Sequence, residues 1–363
     1  MKSVNEKAIE NRLKRLRQKL GERAIDAVLV AKRENYMYLS GFTGTSAYLI
    51  ITQEDAVLVT DFRYMEQATE QAPLYEVVQY QGSVVAALEE QLKRRKVNFL
   101  GFEDSELTYD KYRLFKEKLG AKDLVPLKGM IESMRMVKDE GETDMIKRAV
   151  KIADDAFVHI LGYIKPGVAE IELAAEIEYF MKKQGASGAS FETIVASGRR
   201  SSMPHGVASE KKLEAGDAVT LDYGAIYNGY CSDITRTVFL GDPGDELKKI
   251  YRIVLEAQMR SIEGAHKGLT GREIDFIGRD IITKAGYGDN FGHGLGHGVG
   301  LEIHEEPRFS PSGNTIMENS MVITVEPGIY VSGLGGVRIE DIIVINDDKP
   351  INLTGAVKDM III

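Results

Sequence analysis

The sequence predicts two domains: an α/β N-terminal domain over residues 1–130, then an α+β domain of two similar halves over residues 131–363. Three observations predict it. Helical and strand patterns alternate through the first third of the chain. The stretch from Leu124 to Met130 breaks that rhythm, carrying Pro126 and Gly129 without a clear period. Beyond it, Gly167, Lys183 and Gly185 recur as Gly268, Lys284 and Gly286 at a constant offset of 101, as an internal duplication would leave.

The elements follow in order. Asn5 to Leu20 sets Ile9, Leu13, Leu16 and Leu20 on one helical face, with bases on the other. Ala27 to Ala31 is a short apolar strand. Ala47 to Thr52 and Ala56 to Thr60 are β-rich runs parted by a polar turn at Gln53 to Asp55. Helical patterns return at Tyr64 to Gln71, Val84 to Arg95 and Tyr109 to Leu119, with a strand at Phe99 to Phe102. A long helix runs from Asp139 to Tyr163 and stops before Lys165-Pro166-Gly167, because proline cannot continue the hydrogen-bond ladder. A further helix spans Glu170 to Gln184.

Composition narrows the function classes. The formal net charge is -9, from 55 acids against 46 bases, which argues against nucleic acid as the main partner. Cys231 is the single cysteine, so no intrachain disulfide forms and no oxidising compartment is indicated. Lys2 to Arg23 is dense in charge and lacks the apolar core of a signal peptide. No apolar run reaches the roughly 18 residues of a membrane span. A cytoplasmic protein without a membrane partner is expected.

Candidate chemistry lies in the second domain. Val219 to Ala225 and Tyr230 to Leu240 are strand-like, and Asn228-Gly229 between them is a two-residue type I′ hairpin signal. That turn puts Asp222 opposite Thr235 and Asp233 opposite Gly224. The two aspartates then share a face as diagonal neighbours, with Cβ atoms about 7 Å apart. Among Val219, Leu221, Ile234 and Val238 two bare carboxylates would be costly, and a cation between them removes the cost. The alternative is a solvent-facing sheet surface with two ordinary acids.

Phe291 to Gly300 reads FGHGLGHGVG. The four-residue step from His293 to His297 would pair them on a helix, but the glycines exclude a helix and predict an extended segment passing close to other backbone. A phosphate loop is also excluded, for want of a Lys-Ser/Thr ending and a preceding βαβ unit. His304 follows in Leu301-Glu302-Ile303-His304, and His205 stands in Met203-Pro204-His205-Gly206. Four of the six histidines are thus beside glycine or in this stretch, which marks them for catalysis or metal binding; His159 and His266 are expected to be structural. Met321 to Glu326 is β-rich. Gly336 to Asn346 reads as one central strand on which Arg338 and Glu340 share a face, with a salt bridge from Arg338 to an acid as the alternative to a ligand site.

The set Asp222, Asp233, His297, Glu326 and Glu340 resembles the metal ligands of metallopeptidases with the pita-bread fold: prolidase, aminopeptidase P, methionine aminopeptidase and the metal-free creatinase. The matching segments are Leu221-Asp222-Tyr223-Gly224, Ser232 to Thr237, Gly292 to Glu302, Val325-Glu326-Pro327-Gly328 and Val337-Arg338-Ile339-Glu340. Asn35 to Phe42 resembles the extra N-terminal domain of prolidases and aminopeptidases P. The resemblance implies two divalent cations, manganese first and cobalt or zinc next, with Asp233 and Glu340 shared between them. It implies Glu326 as general base, with His205 or His304 stabilising the oxyanion and His293 orienting substrate or site. Arg308 and Arg338 are candidates to grip a free substrate carboxylate. The expected reaction is cleavage before proline in Xaa-Pro dipeptides, or, as aminopeptidase P, in longer peptides with proline second. A homodimer is expected from the resemblance.

Overall fold

The computed structural model describes residues 4–363, with side chains from Glu6 onward; Lys2, where the charged stretch begins, lies outside the described residues. The chain divides into two compact units, Met1–Arg135 and Met136–Ile363.

The first unit alternates as its pattern predicts. Its elements are α1 (Val4–Glu22), β1 (Ala27–Val30), α2 (Arg33–Ser40), β2 (Tyr48–Thr52), β3 (Ala56–Thr60) and α3 (Met65–Gln71), then β4 (Glu76–Gln79), α4 (Val84–Arg94), β5 (Phe99–Phe102), α5 (Tyr109–Lys118), β6 (Asp123–Pro126) and α6 (Met130–Arg135). One mixed sheet runs in the order β4-β3-β2-β1-β5-β6. Ile9, Leu13, Leu16 and Leu20 of α1 are all buried, which is the apolar stripe the spacing requires. The segment from Leu124 to Met130 is not a linker. β6 pairs with β5 as an edge strand, and α6 buries Met130, Ile131, Met134 and Arg135. The division of the chain therefore falls after residue 130.

The second unit contains α7 (Glu140–Ile160), α8 (Glu170–Lys183), β7 (Gly188–Ala189), β8 (Ile194–Ser197), β9 (Ala218–Tyr223), β10 (Ala225–Tyr227), β11 (Tyr230–Cys231) and β12 (Ile234–Phe239). There follow α9 (Asp245–Gly264), α10 (Gly271–Lys284), β13 (Gly296–Gly298), β14 (Glu305–Phe309), β15 (Val322–Val325), β16 (Gly328–Val331), β17 (Gly335–Arg338), β18 (Asp341–Val344) and β19 (Ile351–Asn352). The duplication is real in three dimensions. α8 and α10 start and end at equivalent positions. Gly167 donates to Leu213 and Leu213 to Val168; Gly268 donates to Met317 and Met317 to Leu269 in the same pattern. Each helix pair covers an antiparallel triplet, β8-β9-β12 in one half and β13-β15-β18 in the other. Each half has its own core, around Ile177, Val195, Leu221 and Val238 in the first and Ile274, Leu295, Ile323 and Ile343 in the second.

The hairpin register is the predicted one. Asn228 and Gly229 have φ of 48° and 86°, the two positive values a type I′ turn needs. Tyr227 faces Tyr230 and Asp222 faces Thr235. Each predicted long strand is nevertheless broken. At Gly224 the Ser232 carbonyl approaches so closely that a Cβ would sit 1.8 Å from it. The expected single strand from Gly336 to Asn346 also divides, at Ile339-Glu340. β17 pairs with β16 and β18 with β15, while Glu340 N–H donates to Thr235 of the first half.

Replacing Gly229 by alanine is expected to cost about 1 kcal/mol, because a Cβ at positive φ is disfavoured. Chemical denaturation measures it; an unchanged midpoint would contradict the turn.

Candidate metal centre

The two halves contribute to one cavity of about 750 Å³, lined by Asp222, Asp233, His297, Glu326 and Glu340 together with His205, His293, His304, Arg308 and Arg338. Every candidate side chain named from sequence therefore reaches the same space. Asp222 is the last residue but one of β9, and Asp233 stands just before β12, so the hairpin presents both. His297 is the centre of β13. Glu326 follows β15, and Glu340 sits where the chain crosses from β17 to β18.

One ligand atom each from Asp233, His297 and Glu340 lies within 4.8 Å of the others. His297 Nε2 is 3.2 Å from Glu326 Oε1 and 3.6 Å from Asp233 Oδ2. The neighbours that aim these groups are polar and buried. Thr235 Oγ1 donates to Glu340 Oε2 at 2.6 Å, and Thr324 Oγ1 to Glu326 Oε1 at 3.1 Å. Arg338 Nη2 donates to Asp222 Oδ2. The His297 Nδ1 contact with the Gly298 carbonyl, 3.1 Å, places the proton there and turns Nε2 to the carboxylates.

The oxygens left over decide what the site can hold. Asp222 Oδ1, Asp233 Oδ1 and Glu340 Oε1 are buried and have no hydrogen-bond partner. Native structures seldom leave such atoms unpaired. Burial, and then the charges of Glu340, Asp222 and Glu326, push Asp233 well above the usual carboxylate range. Burial, then Glu326 and Asp222, do the same to Glu340. Burial also raises Asp222, against the opposing charge of Arg338. Burial opposes ionisation of Glu326 too, yet the hydrogen bond and charge of His297, with His293 and Arg338, hold it at about 2. Divalent cations would partner the unpaired oxygens and cancel the repulsion at once. Four carboxylates and one imidazole form an oxygen-rich donor set suited to manganese, cobalt or zinc.

The glycine run is extended, as expected, and its glycines are required by close approach. A Cβ on Gly296 would lie 1.9 Å from the Thr324 carbonyl. His304 is exposed at the rim, its ring edge-on to His297 with centroids 4.4 Å apart. Burial of its ring, then the charge of His297, lowers its pKa, so it is neutral near pH 7. His205 is exposed and also lines the cavity. His293 has both ring nitrogens engaged, with the Gly294 carbonyl at 2.8 Å and the Tyr330 hydroxyl at 2.9 Å, which makes it an orienting group. His159 lies elsewhere, paired with Glu176 and stacked on Phe180.

The structure separates the two arginines. Arg338 is buried, and its N–H groups go to Asp222, Thr235, Tyr330 and the Pro204 carbonyl. It takes the alternative left open by the sequence, holding a ligand carboxylate. Arg308 faces His297 across the β13–β14 pair, and among the described residues the ion pair of its half-exposed guanidinium is a 3.8 Å contact with Glu306. Sequence reasoning missed Tyr330 and Thr235. Thr235 was named only as the partner of Asp222, which was itself the available signal. Tyr330 had none, since nothing local marks a tyrosine in a hairpin.

A family model described as metallopeptidase family M24 matches residues 144–347, and one described as the creatinase/prolidase N-terminal domain matches residues 12–137. The chain is 43% identical to the Xaa-Pro dipeptidase of Pyrococcus furiosus over 97% of its own length and 100% of that protein's. Among solved structures it resembles the Xaa-Pro dipeptidase from Bacillus anthracis with a TM-score of 0.96, at 49% identity, covering 98% of this chain and all of the other (100%). It resembles the X-Pro aminopeptidase of Thermotoga maritima with a TM-score of 0.89, at 39% identity, covering 94% and 99%.

Folded-state pKa values raised at Asp233 and Glu340 mean that the metal-free protein keeps protons there which the unfolded chain loses above about pH 4.5. Their contribution to stability is present below that pH and is lost as pH rises through the folded values. Cations displace those protons, so binding strengthens in the same direction. The rise in Tm on adding Mn²⁺ is therefore expected to be larger at about pH 8 than at about pH 5.5, read by calorimetry. Equal shifts would refute the assignment of these carboxylates.

Proposed function

Since the chain belongs to metallopeptidase family M24, with a pita-bread second unit and a creatinase/prolidase-type first unit, we propose that it hydrolyses the bond before proline in Xaa-Pro dipeptides at a pair of divalent cations. The observation that carries this is the convergence of unpaired buried oxygens of Asp222, Asp233 and Glu340 with His297 and Glu326. Asp222, Asp233, His297, Glu326 and Glu340 would hold the cations between them. Manganese is the ion we assign first, on the family resemblance, with cobalt or zinc next, since the oxygen-rich donor set suits all three.

When bound, the cations supply Lewis acidity and a water that is hydroxide near neutral pH. The protein's own groups do the rest. Glu326, held ionised by His297, His293 and Arg338, is the general base that would take the water's proton, as the family resemblance implies. His304, neutral and at the rim, offers an N–H to the oxyanion, with His205 of the same cavity as the second candidate donor. The bond before proline is a tertiary amide without an N–H. Recognition must therefore come from elsewhere on the substrate. Arg308 supplies it, presenting a guanidinium to a free C-terminal carboxylate, whereas Arg338 has its donors committed.

That division of labour favours a dipeptidase. Similarity to the Thermotoga aminopeptidase keeps a second reading, release of one residue from longer peptides. The same reading takes the chain as a cytoplasmic homodimer acting on peptides with proline second; gel filtration checks the dimer.

Ala-Pro is expected to be cleaved at least about tenfold more efficiently than Ala-Pro-Ala, because one carboxylate–arginine pair is worth more than 1.4 kcal/mol. The reverse order would replace dipeptidase by aminopeptidase. His304→Ala is expected to leave two metals per chain and lower kcat about 10²-fold, the usual cost of one oxyanion donor. Metal analysis and initial rates decide it, and unchanged kcat would remove His304 from the mechanism.

A further inference from the structure

The segment from Phe291 to Gly300 places two histidines while alternate residues carry no side chain to hold it. Something outside the segment must fix its backbone. That group is on α10. Asp275 is buried and grips Arg279, one helical turn on, through two hydrogen bonds: Nε to Oδ2 at 2.7 Å and Nη2 to Oδ1 at 2.9 Å. The far side of the guanidinium donates to the carbonyl of Phe291 at 3.0 Å and to that of His293 at 2.7 Å. Asp275 Oδ1 in turn accepts the N–H of Leu295 at 3.0 Å. Arg279 also lies over the Phe291 ring, 4.3 Å from its centroid. Three alternate residues, 291, 293 and 295, are thus fastened on the same side by a single ion pair.

The other side of the segment leads to the ligands. His293 meets the Tyr330 hydroxyl, which accepts from Arg338 Nη1 at 2.7 Å, and Arg338 holds Asp222. We infer that Asp275 and Arg279 form a positioning clamp for the peptidase site, acting through His293 on the Tyr330–Arg338–Asp222 chain. Neither residue lines the cavity. The geometry requires the planar fork of arginine, because one cation must satisfy a carboxylate and two carbonyls together; lysine has a single nitrogen and cannot span them. The inference rests on the peptidase reading only for its activity arm.

The test has two arms. In the metal-free protein, amide hydrogen exchange in residues 291–297 is expected to speed up at least about tenfold in Arg279→Lys, with helices of the first half unchanged. Exchange no faster than in the parent chain overturns the clamp, whatever the enzyme does. In the loaded enzyme, Arg279→Lys is expected to lower kcat/KM for Ala-Pro about tenfold or more with two metals retained. In a His293→Ala background the same substitution is expected to cost less than about twofold, since both changes cut one chain of contacts. Equal losses in the two backgrounds would show mere loosening of the fold and overturn the proposal. If Arg279→Lys does not fold, Asp275→Asn, which keeps an acceptor for Leu295, goes through the same cycle under the same criteria. A parent chain inactive on Ala-Pro would instead defeat the peptidase reading, leaving the exchange arm to decide the clamp.

Discussion

Four carboxylates gathered around one imidazole, with little access to water, are the constraint on which the second unit is built. Like charges so placed do not stay together for their own sake. They either keep protons, as the raised values of Asp233 and Glu340 show, or they share cations. The remainder of the fold holds them there against repulsion. Thr235, Thr324 and Arg338 each satisfy one oxygen of a ligand carboxylate, and for Asp222 and Glu340 the other oxygen is the one left unpaired. This division makes the site directional, because the paired oxygen sets the orientation of the other.

The duplication explains how such a cluster is assembled. Each half carries an acid at the end of its central strand, Asp222 within the last two residues of β9 and Glu326 just after β15. Neither half could keep its acids alone in a core of valine, leucine and isoleucine. Glu340 completes the link: its side chain faces the cavity, while its backbone leaves one sheet, bonds to Thr235 of the first half and enters the next. Arg236 is buried beside that crossing, donating to the Glu340 carbonyl and to Asp341. Packing and ligand geometry are therefore one problem here. A shift of the crossing would move a ligand.

Glycine has a definite purpose in the second half. At Gly296 the strand lies so near the Thr324 carbonyl that no side chain fits. That closeness brings His297 over the carboxylates, and it also removes the side-chain packing that usually stiffens a strand. The Asp275–Arg279 pair supplies the missing restraint from the helix behind.

Much of this was legible in the sequence. The Asn228-Gly229 turn set the register that opposes Asp222 to Thr235, because a two-residue loop leaves only one pairing. The offset between Gly167 and Gly268 announced the two halves. Residue type and order named, through their resemblance to a family, the five candidate ligands that line one cavity. What sequence could not settle is where the chain bends and what long-range partners a side chain finds. The strand break at Ile339-Glu340 comes with a bond to Thr235, far back along the chain, so no local pattern records it. Leu124 to Met130 read as the domain boundary, since an edge strand paired on one side has little periodicity. Arg308 and Arg338 were both candidates on paper for the substrate carboxylate, with Arg338 alternatively holding a carboxylate of the site. Only the tertiary structure spent the donors of one on Asp222 and Tyr330 and left the other facing the cavity, because the partners of a guanidinium are fixed by packing, and packing joins residues more than a hundred positions apart.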